Sequence, residues 1–132
     1  MNNPEINEYK DKSWFDEERR LHREGGPAVE NIDGSKIWFR HGNIHRDDGH
    51  AIEWANGTKI WYQDGKSHRE DGPAAEYANG DKEWFQHGKL HREDGPAIER
   101  ADGDKYWYFK GKYIEVSSQL EFERLLKLKA FW

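Results

Sequence analysis

The sequence predicts a mainly β protein, a single-domain curved antiparallel β-meander of four 23-residue hairpin repeats with a C-terminal capping α-helix. Three observations support this prediction. A His-Arg pair recurs every 23 residues, each pair is followed by Gly-containing turns and an aromatic pair, and after Val116 the pattern changes to helical spacing. The recurring pairs are His22-Arg23, His45-Arg46, His68-Arg69 and His91-Arg92.

The first turn of each repeat is an Asp-Gly or Asn-Gly dipeptide between alternating residues, which is typical of a two-residue type I′ hairpin. With that turn at Asn56-Gly57, Ile52 would face Trp61. The same register predicts the pairs Val29 with Trp38, Ala75 with Trp84, Ile98 with Trp107, and Glu76 with Glu83. We therefore expect the tryptophan side of the sheet to be buried, with Trp61 and Trp84 in the core.

The second turn of each repeat also ends in glycine, as in His41-Gly42 and Asp64-Gly65. A tight turn there places each tryptophan opposite the next histidine, in the pairs Trp38 with His45, Trp61 with His68, and Trp84 with His91. The Asp-Gly-Pro segments cannot be regular ladder, because proline lacks the backbone donor. We therefore expect one bend in each repeat.

The boundaries follow from where the pattern starts and stops. Residues 14–116 are predicted to form the repeat sheet, with an incomplete first strand at Trp14. Residues 1–13 are predicted to form an N-terminal segment, and we treat its flexibility as a hypothesis. Within residues 117–132, Ser118 and Glu121 have the spacing of a capping box, which predicts a helix over about residues 119–130. This helix is expected to cover the last hairpin, while Phe131 and Trp132 leave open a partner-binding tail.

The motif HREDGPA, followed by an ANG or ADG turn and a Trp-aromatic pair, resembles the variant MORN-type repeats. These include antitoxin-like repeat proteins of bacteria and HREDGPA-repeat proteins of bacteriophages and giant viruses. The resemblance covers residues 14–113 and implies binding or scaffolding. The chain departs from the motif at Gly25, His50 and Ile114, and it lacks the Tyr-Gly pattern of standard MORN units, so lipid binding is not implied.

Composition narrows the function classes. The formal net charge is −5 and the basic residues are interspersed with acidic ones, which disfavours nucleic-acid binding. The absence of cysteine suits a reducing compartment, and no apolar run is long enough to span a membrane. We expect a cytoplasmic protein, located in the host cytoplasm if it is viral.

The repeated motif is interpreted as structural, because a catalytic site is normally a single asymmetric constellation. No catalytic residue, metal ligand or cofactor is predicted. Equivalent histidines in successive hairpins should lie about 9.6 Å apart, too far for one zinc ion. The predicted structural set comprises His22, His45, His68, His91, Arg23, Arg46, Arg69, Arg92, Trp61, Trp84 and Trp107.

A single sheet with one short helix must leave aromatic side chains exposed, and exposed aromatics with arginine are typical of protein-binding hot spots. The candidate surface comprises Trp38, Trp54, Tyr62, Tyr77, Phe85, Arg100 and Tyr108. The leading hypothesis is a phage accessory protein that binds and inhibits a host protein, such as one in antiviral defence. The alternatives are a nucleotide or small-molecule sponge that uses the Trp, His and Arg rows, and an antitoxin-like or structural scaffold. The oligomeric state stays open.

Overall fold

The structure is a computed structural model that describes residues 3–128. In that range it contains short antiparallel strands and one C-terminal helix, α1 (Gln119–Lys127), so the predicted mainly β antiparallel meander with a C-terminal helix is confirmed. The strands are β1 (Glu5–Ile6), β2 (Lys12–Ser13), β3 (Val29–Glu30), β4 (Lys36–Ile37), β5 (Phe39–Arg40), β6 (Asn43–Ile44), β7 (Ile52–Glu53), β8 (Lys59–Ile60), β9 (Tyr62–Gln63), β10 (Lys66–Ser67), β11 (Ala75–Glu76), β12 (Lys82–Glu83), β13 (Phe85–Gln86), β14 (Lys89–Leu90), β15 (Ile98–Glu99), β16 (Lys105–Phe109) and β17 (Lys112–Ile114).

The strands form one main sheet and three small hairpins. The main sheet is a meander of eleven strands in the order β1-β2-β3-β4-β7-β8-β11-β12-β15-β16-β17. The pairs β5-β6, β9-β10 and β13-β14 are separate two-stranded sheets. The strands are interrupted at Trp38, Trp61 and Trp84, whereas Trp107 lies within β16. The segments at residues 71–73 and 94–96 lie outside the strands, as their proline predicts.

The first turn of each repeat differs from the prediction. At Asn56-Gly57 the loop has three residues, because the Gly57 N–H donates to the Trp54 carbonyl and the Trp54 N–H donates to the Thr58 carbonyl. Only the glycine has a positive φ, of 96°. The Asn56 side chain accepts from the Thr58 N–H, which is an Asx turn.

This longer loop shifts the register by one residue. Ile52 pairs with Ile60 and Glu53 pairs with Lys59, so the predicted pairing of Ile52 with Trp61 is wrong. The other predicted aliphatic-tryptophan pairs and the Glu76–Glu83 pair are wrong for the same reason. The observed pairs are Val29 with Ile37, Ala75 with Glu83, Ile98 with Tyr106, and Glu76 with Lys82.

The second turn has the predicted geometry. Both of its central residues have positive φ, for example 46° at His41 and 87° at Gly42, as a type I′ turn requires. The His45 N–H donates to the Trp38 carbonyl at 3.0 Å, and the equivalent bonds at His68 and His91 are present. The predicted pairing of tryptophan with histidine is therefore confirmed.

Side chains alternate along each strand, which gives the sheet two different faces. One, the charged face, carries Trp38, Trp61, Trp84 and Trp107 and a row in which lysine and glutamate alternate from strand to strand. That row comprises Lys12, Glu30, Lys36, Glu53, Lys59, Glu76, Lys82, Glu99 and Lys105. The other, the aromatic face, carries the aliphatic and aromatic residues at the intervening positions.

Burial does not follow the prediction. Ile52 and Ile98, on the aromatic face, are each 5% exposed, whereas Trp61 and Trp84 are only half-buried. The expectation that the central tryptophans form the core is therefore wrong, because an arginine guanidinium, and not a layer of apolar residues, lies over each of these two rings.

The two ends of the sheet close differently. At the N-terminal end, β1 and β2 form a hairpin that extends the sheet beyond the predicted start at residue 14. At the C-terminal end, Ser118 caps α1 through the Glu121 N–H, and Phe122 is fully buried against the last hairpin. Helix α1 ends at Lys127, before the predicted end, and residues 129–132 lie outside the described range.

Candidate functional site

The repeated histidine holds one hairpin to the next. The Nδ1 atom of His45 accepts from the Asp64 N–H, in the type I′ turn of the following hairpin, at 3.0 Å. Since Nδ1 is an acceptor, the proton of the neutral ring is on Nε2, which lies 2.7 Å from an Asp47 carboxylate oxygen. The equivalent Nδ1 bonds join His22 to His41, His68 to His87, and His91 to Lys110, at 2.9 to 3.0 Å.

The repeated arginine covers a tryptophan. The Arg69 guanidinium lies 4.1 Å from the Trp61 ring centroid and donates to the Pro73 carbonyl at 3.1 Å. Arg23, Arg46 and Arg92 cover Trp14, Trp38 and Trp84 in the same way, at 3.8 to 4.0 Å. Cation–π attraction and the carbonyl contact together fix the loop that carries the motif.

The glycine of each Asp-Gly-Pro segment makes room for that arginine. A Cβ atom at Gly72 would lie 3.0 Å from the Arg69 Cζ, and at Gly95 it would lie 2.5 Å from the Arg92 Cζ. The alanine two residues after this glycine is also enclosed by its neighbours, since Ala51 and Ala74 are fully buried. The His, Arg, Gly and Ala positions of the HREDGPA motif are therefore each explained by a contact within the sheet.

A second row of hydrogen bonds joins the hairpins at their opposite ends. The Thr58 hydroxyl accepts from the Ala78 N–H at 3.1 Å, and the Asp81 carboxylate accepts from the Ala101 N–H at 2.7 Å. Ser35 accepts from the Ala55 N–H in the same way. The histidine row and this row tie successive hairpins together at both ends of their strands.

The predicted structural residues are thus engaged in contacts within the sheet, with one exception. Trp107 has no arginine above it and is buried by α1, donating from Nε1 to Gln119 Oε1 at 2.8 Å. Among residues 3–128, no group of three or more His, Asp or Glu side chains is arranged to hold a metal ion. No helix within those residues has the length and apolar content needed to cross a bilayer.

Residues 23 positions apart in the chain can be aligned with one another, so successive hairpins can be compared position by position. The strand residues that are identical in every aligned segment are all on the charged face. They are Glu30, Glu53, Glu76 and Glu99, Lys36, Lys59, Lys82 and Lys105, and Trp38, Trp61, Trp84 and Trp107.

The aromatic face differs at the corresponding positions. One position is occupied in turn by Asn31, Trp54, Tyr77 and Arg100, and a second by Ile37, Ile60, Glu83 and Tyr106. A third carries Ile44, Ser67, Leu90 and Tyr113. The identical strand residues are therefore on the charged face, and these three positions of the aromatic face vary. The charged face also varies at one position, which carries Arg40, Gln63, Gln86 and Phe109.

The structure divides the predicted binding surface between the two faces. Trp54, Tyr62, Tyr77, Phe85, Arg100 and Tyr108 are on the aromatic face, where Trp54 is 40% exposed. Trp38 is on the charged face beneath Arg46 and does not share a surface with the other six residues.

A polar cluster interrupts the aromatic face. Glu83 takes the position that is aliphatic in Ile37 and Ile60, and its carboxylate accepts from the Tyr77 hydroxyl at 2.8 Å. Arg100 donates to Asp81 at 3.3 Å and lies 3.5 Å from Glu83. These residues line an open depression of about 460 Å³.

The pKa values of two residues in this cluster are shifted from their ordinary values. Burial, followed by the hydrogen bond to Glu83, raises the pKa of Tyr77 to about 12. The Ala101 N–H, with smaller contributions from Asn79 and Arg100, lowers the pKa of Asp81. Asp81 and Glu83 were not among the predicted surface residues, although alignment of the hairpins identifies them as charged residues at positions occupied elsewhere by Ser35 and Thr58 and by Ile37 and Ile60.

Comparison with models of known protein families found no match, and comparison with curated protein sequences found none either.

Proposed function

We propose that this chain is a non-enzymatic protein-binding module and that the aromatic face is its binding surface. The observation that carries this proposal is a difference between the faces: the residues that are identical in every hairpin hold the sheet together, whereas three positions of the aromatic face vary in size and charge. In a repeat sheet, variation at such positions of one face is what adaptation to a particular partner would produce.

The chemistry of the aromatic face fits a protein partner. It combines half-buried Tyr62, Phe85 and Tyr108 with the more exposed Trp54 and Arg100, whose side chain is 39% exposed. Aromatic residues and arginine supply much of the binding energy in protein interfaces, because they bury large areas with few rotatable bonds. The Tyr77–Glu83–Arg100 cluster adds directional polar groups within that surface.

The small-molecule alternative has less support. It relied on tryptophan, histidine and arginine as a clamp for an anion, and these groups already contact one another or the backbone. A bound anion would have to displace a guanidinium from its ring and its carbonyl partner. Each loop also carries exposed carboxylates, such as Glu70 and Asp71, that would repel it.

The narrower hypothesis concerns the identity of the partner. The HREDGPA motif resembles repeats of bacteriophages and giant viruses, so we propose a host protein, such as one in antiviral defence, as the molecule bound and inhibited. The antitoxin-like or scaffold alternative would use the same face. Only the resemblance supports this narrower hypothesis.

The test is site-specific photo-crosslinking in cells from which the gene derives. A benzophenone amino acid at Trp54 should capture one defined protein, and the same group at Lys82, on the charged face, is the matched control. The double variant Trp54→Ala, Arg100→Ala should weaken binding of that protein about tenfold or more while leaving the circular dichroism spectrum unchanged. Equal capture from both faces, or capture of chaperones alone, would contradict the proposal.

A further inference from the structure

The hairpins β5-β6, β9-β10, β13-β14 and β16-β17 lie side by side. Backbone hydrogen bonds join the first two: the Arg46 N–H donates to the Tyr62 carbonyl at 3.3 Å, and the Gly65 N–H donates to the Ile44 carbonyl at 2.9 Å. Equivalent bonds join the second hairpin to the third and the third to the fourth. Corresponding residues of neighbouring hairpins are therefore two strands apart, or about 9.6 Å.

At the paired positions of these hairpins the aromatic face carries no charged residue, although 36% of the residues in the chain are charged. Each hairpin contributes one pair of facing side chains there, and every pair includes a phenylalanine or a tyrosine. We call these residues the hairpin strip: Phe39 and Ile44, Tyr62 and Ser67, Phe85 and Leu90, Tyr108 and Tyr113. An uncharged strip on a highly charged protein is typical of a surface that binds another molecule.

The hairpin strip keeps contact with solvent. Tyr113 is 49% exposed, and the other members of the strip are half-buried. Helix α1 packs on the opposite side of the last hairpin, where Phe122 is in one cluster with Trp107 and Phe109. The helix that closes the sheet thus covers the charged face and leaves the strip to another molecule.

The aromatic rings of the strip recur at a regular interval. Phe39, Tyr62, Phe85 and Tyr108 follow one another once per hairpin, so the first and the last are about 29 Å apart. A polyproline II helix has three residues per turn and rises about 3.1 Å per residue, so its side chains recur on one side every 9.3 Å or about that. Over three intervals this repeat differs from the spacing of the rings by only about 1 Å.

Other regular segments match the rings less well. Residues seven apart on one side of an α-helix are separated by about 10.5 Å, which accumulates a mismatch of about 3 Å over the same three intervals. Side chains on one side of a β-strand recur about every 7 Å, which brings them out of step after the first ring. The spacing therefore favours a polyproline II segment.

We propose that the hairpin strip binds a proline-rich segment of the protein partner, in the polyproline II conformation and with a proline at every third residue. Such segments bind to rows of aromatic side chains, and they lose little conformational freedom because they are already extended. A segment of about ten residues reaches from Phe39 to Tyr108. The proposal rests on the proposed function, since it specifies what the aromatic face binds.

The test uses the full chain and three fluorescently labelled peptides. The first has about twelve residues, with proline at every third position among alanine and glutamine. The second has the same composition, with the prolines separated alternately by two and five positions, so that they do not share one side. The third is an α-helical peptide with leucine at every seventh residue. We expect fluorescence anisotropy to give at least about tenfold tighter binding for the first peptide than for the others.

Two double variants locate the binding. Tyr62→Leu, Phe85→Leu removes two rings but keeps apolar side chains, and it should weaken binding of the first peptide about tenfold or more. Gln63→Leu, Gln86→Leu is the matched control, because these residues are next in the same strands and point to the charged face. It should bind the first peptide as the wild type does, with circular dichroism verifying that both variants are folded.

The outcomes separate this proposal from the proposed function. Equal affinity for the two proline peptides, tighter binding of the helical peptide, or the same loss in both double variants would each overturn the polyproline II assignment. If the first peptide does not bind while a benzophenone amino acid at Trp54 still captures one defined protein, this proposal fails and the proposed function stands. If neither is observed, both fail.

Discussion

Trp84 and Trp107 occupy equivalent positions in successive hairpins, but their rings are covered in different ways. The Arg92 guanidinium lies 3.8 Å from the Trp84 ring centroid, and the ring stays half-buried. Trp107 is covered by α1 and packs in a cluster with Phe122, which leaves it 7% exposed. A charged side chain thus covers the central tryptophan partly, and an apolar helix covers the last one almost completely.

The origin of the covering group explains the difference. The arginine above each central tryptophan comes from the loop that leads into the following hairpin, as Arg92 does for Trp84. The residue 23 positions after Arg92 is Glu115, so no arginine is available for Trp107. The tryptophan of each central hairpin is therefore covered by an arginine from the segment that follows it, and the tryptophan of the last hairpin is covered by a helix instead.

The largest effect should come from removing the buried helix residue. We expect Phe122→Ala to lower the free energy of unfolding by about 3–5 kcal/mol, because it leaves a cavity over Trp107. Urea denaturation measures this. Leu120→Ala, at a residue on the same helix that is 59% exposed, is the matched control and should change stability by less than about 0.5 kcal/mol. Equal losses would mean that α1 does not complete the last hairpin through Phe122.

A smaller effect should come from breaking one contact between hairpins. We expect His45→Ala to cost about 1–3 kcal/mol, because the buried ring is lost and the Asp64 N–H loses its acceptor. Amide hydrogen exchange at Asp64 should accelerate. His87→Ala, at an exposed turn residue, is the control and should be within about 0.5 kcal/mol of the wild type. An unchanged exchange rate at Asp64 would refute the role assigned to the histidine row.

The arginine cover can be tested through the glycine beneath it. Gly95→Ala should cost about 1–3 kcal/mol, because its Cβ would lie 2.5 Å from the Arg92 Cζ and displace the guanidinium from Trp84. In the Arg92→Ala background the same substitution should cost much less, since the obstacle is gone. Thermal unfolding of the double-mutant cycle measures the coupling, and strictly additive costs would exclude this explanation.

The smallest effect should come from changing the Asp16 carboxyl near the N-terminal end of the sheet. The His41 ring, followed by the Arg20 and Glu18 contacts, lowers the pKa of the Asp16 carboxyl. A carboxyl with a lowered folded-state pKa stabilises the fold above its unfolded pKa of about 3.9, and this contribution is lost as the pH falls through the folded value. Asp16→Asn should therefore reduce the dependence of urea midpoints on pH below about pH 4. Glu17→Gln is the control, and an identical acid dependence in both variants would contradict the assignment.

Local sequence predicted some elements well and others poorly. The type I′ turns at His41-Gly42 and Asp64-Gly65 were predictable, as was the pairing of Trp38 with His45, because two-residue loops leave only one register. The Asn56-Gly57 loop was not, since Asn-Gly serves both a two-residue turn and a three-residue turn that ends in glycine.

The candidate surface was predicted in composition but not in position. The residues were named without a choice of face, and the predicted register would have placed Trp54, Tyr77 and Arg100 on one face and Tyr62, Phe85 and Tyr108 on the other. The observed register differs by one residue and puts these six residues on the same face. Glu83 and Asp81 were missed, because a carboxylate among aliphatic residues is not recognisable as part of a cluster until Tyr77 and Arg100 are placed beside it.

The sequence by itself determined the 23-residue spacing, the mainly β class and the C-terminal helix, because these depend on residues that are close together in the chain. Only the tertiary structure decided what the recurring residues do and which face is available. The contact from His45 to Asp64 joins different hairpins, and the contact from Arg69 to Trp61 joins the two ends of one hairpin. The register that brings such partners together is set by loop geometry and by hydrogen bonds between neighbouring turns, which no local pattern records.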